Sequence, residues 1–216
     1  MRLRPGVGAA CQADPVDLEP FRGELERKGD YELLSFDGLD LSGQDATSAR
    51  FIDCAITYCA LEDTRLTGAH LIDTTLTRAH AASLDVADAT WRDVTLADCR
   101  LGAVRAYGGR LTRVTVRGGK IDYLNLRDAH LEEVLLTGCT VGDLDLVGCE
   151  AKGLVIEDCR VCRLDVTRAK LTSADLRGAD LRSVYGLAGL AGATISEEQL
   201  VALAPALAEQ LGIQVS

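Results

Sequence analysis

The chain has 216 residues, 47% of them hydrophobic but only 4% aromatic, and 33 acidic against 23 basic side chains give a formal charge of −10. That is enough apolar material for a core in one or two domains, while the charge excludes an unassisted nucleic-acid binder, which needs net basic surface. No apolar run approaches the ~18–20 residues that span a bilayer and residues 1–12 lack a secretory h-region, so the eight cysteines read as reduced thiols of a soluble, cytoplasmic protein without membrane contact.

Residues 1–30 form an N-terminal extension. Leu18, Phe21 and Leu25 have helix-like spacing, while Pro20 and Gly23 oppose a long helix, so a short helix or loop is expected there, capping the region after residue 30. From Phe36 to Leu181 every fifth residue is apolar, 30 of 30, and 15 of these are Leu. The residue two before each is apolar in 25 of 30, and the exceptions Gln44, Thr64, Thr74, Gly109 and Gly119 are mostly small. The three remaining positions are apolar in only 4, 8 and 3 of 30. Two inward residues flanking one outward residue is strand alternation, and the next two outward residues must turn the chain. A period of five fits neither a helix nor a straight strand, so residues 31–190 are expected to form a solenoid of short strands and tight turns.

Residues 191–216 read as a C-terminal helix and strand. Ser196 is the N-cap, Glu197 and Glu198 fill the first turn, and Gln199 completes a capping box. Leu200, Leu203, Leu207 and Leu211 make one apolar stripe, Gly212 supplies the stop, and Pro205 is expected to kink or split the helix. Residues 213–215 then suit a short strand.

The A/C-x-L-x-x consensus, seen in Ala129-His-Leu-Glu-Glu and in Ala174-Asp-Leu-Arg-Gly-Ala-Asp-Leu-Arg-Ser, resembles the pentapeptide-repeat family over about two-thirds of the chain. The resemblance implies an all-β solenoid, a right-handed quadrilateral β-helix of four pentapeptides per coil. Thirty repeats then make about seven and a half coils, or ~36 Å of rod. On a 20-residue coil, bulky columns such as Leu84, Val104, Leu124 and Leu144 alternate with small ones such as Ala89, Gly109, Ala129 and Cys149, which fills a narrow core without overpacking. The segment 192–203, with Leu211-Gly-Ile-Gln-Val, is similar to the C-terminal module of the Qnr-type and mycobacterial quinolone-resistance pentapeptide proteins. In those proteins the module makes a tail-to-tail homodimer, which assigns Leu200, Leu203, Leu207 and Leu211 to dimerisation.

Few residues suggest chemistry. Six cysteines occupy inward small positions, and Cys159-Arg-Val-Cys162 places one thiol in and one out with no second ligand pair, so neither metal nor cofactor is expected. His70 and His130 share a face three coils apart, and His80 projects from the opposite wall. No triad and no phosphate loop is present, so an enzyme is not expected.

Charge is the informative feature. Residues 36–100 carry five basic and eleven acidic side chains, and residues 101–185 carry thirteen and twelve. Asp53, Asp73 and Asp93 stack on successive coils of one face, with Asp85, Asp88 and Asp98 nearby; the bland reading of the stack is ordinary turn-position aspartate. The basic run Arg100, Arg105, Arg110, Arg113, Arg117, Lys120 and Arg127 circles the rod as a belt rather than one patch. The resemblance implies a mimic of duplex DNA whose acidic strip enters the DNA-binding saddle of DNA gyrase or topoisomerase IV, inhibiting the enzyme or protecting it from quinolones or another poison. The alternative is a non-enzymatic structural or protein-interaction solenoid with an unrelated partner.

Overall fold

In the computed structural model, which describes residues 17–214, the chain is a β-solenoid with parallel strand pairing throughout. Every fifth residue from Phe36 to Leu176 is buried. Between the two ends of the rod each strand pairs in register with the residue twenty positions on, as in Arg50↔His70 and His70↔Thr90. Four five-residue units therefore close one coil, and the coil has four faces. Face A carries inward Phe36 and its successors, face B Leu41, face C Ala46 and face D Phe51. Face D is a separate sheet of eight strands, from Asp30–Glu32 to Lys170–Thr172. The other faces form one sheet, because Val155–Asp165 runs unbroken from face A across face B onto face C.

The corners make the square. Between faces D and A, A and B, and C and D, the second residue after each core residue has φ between 49° and 71° in all coils up to Ser173. This left-handed conformation turns the chain from one face onto the next in one residue. The corner between B and C departs from the five-residue pattern. Gly43 and Asp63 are left-handed there, but His80–Asp85, Arg100–Arg105, Lys120–Asn125 and Thr140–Asp145 are continuous six-residue strands. The two outward residues thus bend rather than turn on this edge.

The polar exceptions in the core are satisfied by the coil beneath. Thr64 Oγ1 donates to Leu41 O at 2.9 Å and Thr74 Oγ1 to Phe51 O at 3.3 Å. Cys54, Cys59 and Cys99 donate their thiols in the same way, to Tyr31 O, Phe36 O and Leu76 O. A small hydrophobe with one weak donor suits an inward slot that faces a carbonyl. Burial raises the pKa of each of these thiols, and it pushes the Cys149 thiol up to about 12.

Of the expected short helix or loop, the N-terminal segment forms the loop, with one two-residue strand in it. Glu19–Pro20 pairs with Leu34–Ser35 on face A. The Phe21 ring lies 4.4 Å from Phe36 and 5.5 Å from Tyr31, closing the apolar end of the rod. Gln44 Oε1, another exception in the core pattern, accepts from Leu25 N at 2.7 Å and ties the cap down. Residues 1–16 of the expected extension lie outside the described residues.

At the other end the solenoid outlasts its sequence signature. Val184–Tyr185 pairs with Leu164–Asp165, and Ala193–Thr194 pairs with Ala174–Asp175. Gly189 and Gly192 lie where a Cβ would strike Val166 O and Leu171 O, so close approach to the last coil replaces the apolar repeat there. One helix, Glu197–Gln210, comes next, with the predicted capping box: Gln199 N donates to Ser196 Oγ at 3.2 Å and Ser196 N to Gln199 Oε1 at 2.8 Å. Gln199 Nε2 also donates to Leu176 O and Ala179 O, both at 2.7 Å, and so clamps the helix to the rod. Pro205 neither splits the helix nor ends it. Ile213 and Gln214 form no strand, a correction to the predicted helix-and-strand module; Val215 lies outside the described residues.

A cavity of about 20 Å³ lies in the core among Trp91, Ala106, Leu111, Leu126 and their neighbours. It is level with Gly109 and Gly119, where the small column contributes no side chain. Ala106→Val is expected to fill it and stabilise the protein by ~1 kcal/mol, raising Tm by about 2–4 °C in a thermal melt.

Candidate functional site

Asp53, Asp73 and Asp93 are all corner residues between faces D and A, with φ of 50°, 49° and 56°. This conformation costs an L-residue ~1–2 kcal/mol, and it costs aspartate less because the short carboxylate bonds locally. Among the described residues seventeen non-glycines have positive φ, and eight of them are aspartates. Asp88 and Asp98 belong to this set as well, so five of the six candidate carboxylates are first of all solutions to a corner. Asp85 has a different place: it sits in a face C strand, where its Oδ1 accepts from Ala87 N at 3.1 Å.

Three of the six are brought together. The stack Asp53, Asp73, Asp93 runs along one edge at ladder spacing. Asp98 lies on the next corner, between A and B, Asp88 lies between C and D, and Asp85 lies on C. Within the stack the charges differ in state. Asp93 is held below the usual carboxylate range by its hydrogen bonds from Arg113, Nε to Oδ1 and Nη2 to Oδ2, both 2.6 Å. Asp73 is raised, first by desolvation and then by the charges of Asp93 and Asp53. Among the described residues Asp53 and Asp73 make no ion pair. The edge is therefore a short anionic rail that Arg113 closes on the fourth coil.

The basic belt is distributed as expected in part. Arg105 donates to Ser83 Oγ at 2.6 Å. Arg127 Nε is bound to Asp145 Oδ2 at 2.7 Å, which also accepts from Tyr123 Oη at 3.0 Å. Asp145, the buried carboxylate of the core region, is thus a satisfied structural group. Arg100 and Lys120, however, lie side by side on face B with His80. Reading the belt as scattered missed this column, although spacing of twenty at the same repeat position was the available signal. Among the described residues no group of three or more His, Cys, Asp or Glu has metal-binding geometry. No helix there is long and apolar enough to cross a membrane.

The predicted leucine stripe divides. Leu203 is only 8% exposed and packs on the last coil, and Leu207 is half-buried. Leu200 at 51% and Leu211 at 74% point outward, and sequence reasoning overlooked Val201 at 74% and Ile213 at 55%. The helix needed one side for its own rod, so its outward apolar surface is rotated from the Leu203–Leu207 line.

A family model for pentapeptide repeats matches the chain in eight copies, at residues 157–184. Among solved structures, trypsin-treated QnrB1, a plasmid-mediated fluoroquinolone resistance protein, aligns with TM-score 0.43 and 17% identity over 91% of this chain and 96% of that one. HetL, a pentapeptide-repeat protein involved in heterocyst differentiation regulation in the cyanobacterium Nostoc sp., aligns with TM-score 0.31 and 15% identity over 81% and 93%. No curated protein sequence matches the chain.

The rail's two electrostatic states predict opposite responses. The Asp93 carboxyl is depressed, so its contribution is present above the unfolded value of ~3.9 and lost as pH falls through the folded one. Asp93→Asn should therefore melt below the parent at pH 7, with the gap closing in acid. The Asp73 carboxyl is raised, so Asp73→Asn should melt above the parent at pH 7, and that gain should also vanish in acid. Asp73→Val, which introduces a Cβ branch and loses the local polar contacts in the left-handed corner, should instead cost ~1–2 kcal/mol.

Proposed function

We propose that this chain, a member of the pentapeptide-repeat family, acts in the cytoplasm without catalysis as an anionic rod that engages the DNA-binding saddle of DNA gyrase or topoisomerase IV. In this reading it occupies the saddle in place of duplex DNA and inhibits the enzyme or protects it from quinolones or another topoisomerase poison. The observation that carries the reading is the Asp53–Asp73–Asp93 rail, with two carboxylates free of any ion pair among the described residues. One carboxylate per ~4.8 Å of rod approaches the phosphate density of a DNA strand, one per ~3.4 Å. A rigid solenoid presents that charge without an ordering cost on binding, and a basic groove would steer it in.

The same reading includes a homodimer through the C-terminal helix. Leu200, Val201, Leu211 and Ile213 leave apolar surface exposed beside the rod's end, and isologous pairing is the common way to cover such a patch. Leu203 supports the patch from beneath. Val201→Asp with Leu211→Asp is expected to halve the mass measured by light scattering while leaving the circular dichroism spectrum unchanged.

The rail is tested with Asp53→Gly and Asp73→Gly together. Glycine is already native in this corner column at Gly153, with φ 71°, so the fold is retained while the charge is removed. The parent is expected to inhibit gyrase supercoiling or rescue it from a quinolone at micromolar concentration, and the double variant to need roughly tenfold more protein, about 1.4 kcal/mol. A parent without effect on supercoiling, cleavage or drug sensitivity would overturn the topoisomerase reading. One observation favours a protein-interaction solenoid with an unrelated partner: Arg113 neutralises the rail after two free carboxylates. Reproducible recovery of a partner other than a topoisomerase subunit, from a pull-down that the same double variant abolishes, would establish it.

A further inference from the structure

The geometry points to a second binding surface on face B, a trough that takes a short extended peptide bearing two or three carboxylates. It goes beyond the topoisomerase reading and shares no residue with the rail. His80, Arg100 and Lys120 are paired residue to residue on adjacent strands, and Thr140 and then Arg160 continue the column. All four cationic or titratable side chains are exposed. Lys120 reaches Asp122 at 2.7 Å and Arg160 reaches Asp180 at 3.4 Å. Among the described residues Arg100 and His80 have neither an ion pair nor a side-chain hydrogen bond. Like charges at strand spacing repel, and within the column Lys120 and Arg160 each have a carboxylate of their own while Arg100 has none.

The neighbouring outward column leaves room for one. From the second coil it reads Glu62, Ala82, Gly102, Asp122 and Gly142; Glu62 accepts from Ala82 N and bounds the space on that side, and a Cβ on Gly102 or Gly142 would strike the carbonyl of Ala82 or of Asp122. No larger side chain fits there, and a concavity bounded by Ala82, Arg100, Gly102, Lys120 and Asp122 results. It is an open trough along the rod, not an enclosed pocket, which suits a strip of polymer.

Its ends set the length. The column begins at Asp40, one bridge before Ala60 and two before His80, and it finishes at Asp180 beside Arg160. From His80 to Arg160 is four ladder spacings, ~19 Å, which an extended peptide covers with about six residues. Alternate side chains of such a strand repeat every ~6.6 Å, so three carboxylates fall within the basic stretch. A long nucleic acid would run past it onto Asp40 and Asp180, on a protein of charge −10, where phosphate density works against binding.

The test is fluorescence anisotropy with a labelled Glu-Gly-Glu-Gly-Glu-Gly peptide, its Gln counterpart and a six-residue oligothymidylate, on the full chain. The acidic peptide is expected to bind, to lose affinity at least tenfold in Arg100→Ala with Lys120→Ala, and to weaken as salt rises past ~0.1 M. Arg117→Ala, on face A, should leave binding unchanged, and circular dichroism melts would confirm that each variant is folded. Equal binding of the Glu and Gln peptides, an unaffected double variant, or tighter binding of the oligothymidylate would each overturn the proposal. None of these outcomes depends on any topoisomerase, so its failure and that of the rail are separable.

Discussion

The backbone ladder that joins each coil to the next, in register at twenty residues, governs everything else in this molecule. Parallel pairing demands that the same repeat positions meet on every coil. Once Arg50 sits on Asp30 and His70 on Arg50, every inward residue faces an inward residue and every outward residue joins a column. The core is then one side chain wide, which explains a protein with few aromatics: the three Phe and Tyr31 gather at the N-terminal end, where a ring can also seal the rod. Within the rod, Leu, Val, Ala and Cys fill the space, and the thiols of Cys54, Cys59 and Cys99 and the hydroxyls of Thr64 and Thr74 donate to a carbonyl one coil below.

The same constraint produces the charge pattern. A closed coil of five-residue sides needs left-handed corners, and glycine or a short polar residue occupies them most readily. Aspartate at these corners is therefore a backbone solution before it is a binding device, and the rail arises because successive coils chose the same solution in one column. Where the chain chose Arg113 or Gly153 instead, the rail ends. Ladder spacing gives that choice electrostatic consequences, lifting Asp73 and depressing Asp93. It has the opposite outcome on face B, where cations align. A rod of fixed register can thus present different charge on different sides without any change of fold.

Much of this is legible in the order of the amino acids. The period of five named the inward positions, and every fifth residue from Phe36 to Leu176 is buried; Ser196 and Gln199 named the helix start. What the local pattern left open or missed lies where it competed with the end of the rod. Leu18, Phe21 and Leu25 look helical because their spacing is, yet Leu33 O and Ser35 O at the edge of face A recruit Glu19 N and Phe21 N into a strand. The glycines at 186–192 look like the end of the repeat because they lack apolar side chains, yet they continue it by letting backbone lie on backbone. Pro205 is tolerated inside a helix whose first turn Gln199 already fastens to the last coil.

The amino-acid sequence by itself determined the repeat, its phase and the identity of the core residues, because a period of five leaves an apolar residue only one way to face. Only the tertiary structure decided how the chain turns at each corner, which carboxylates are answered by an arginine, and which side of the C-terminal helix is left exposed. Those properties depend on distances between residues a coil or more apart, and the register of the ladder, rather than any local preference, sets them.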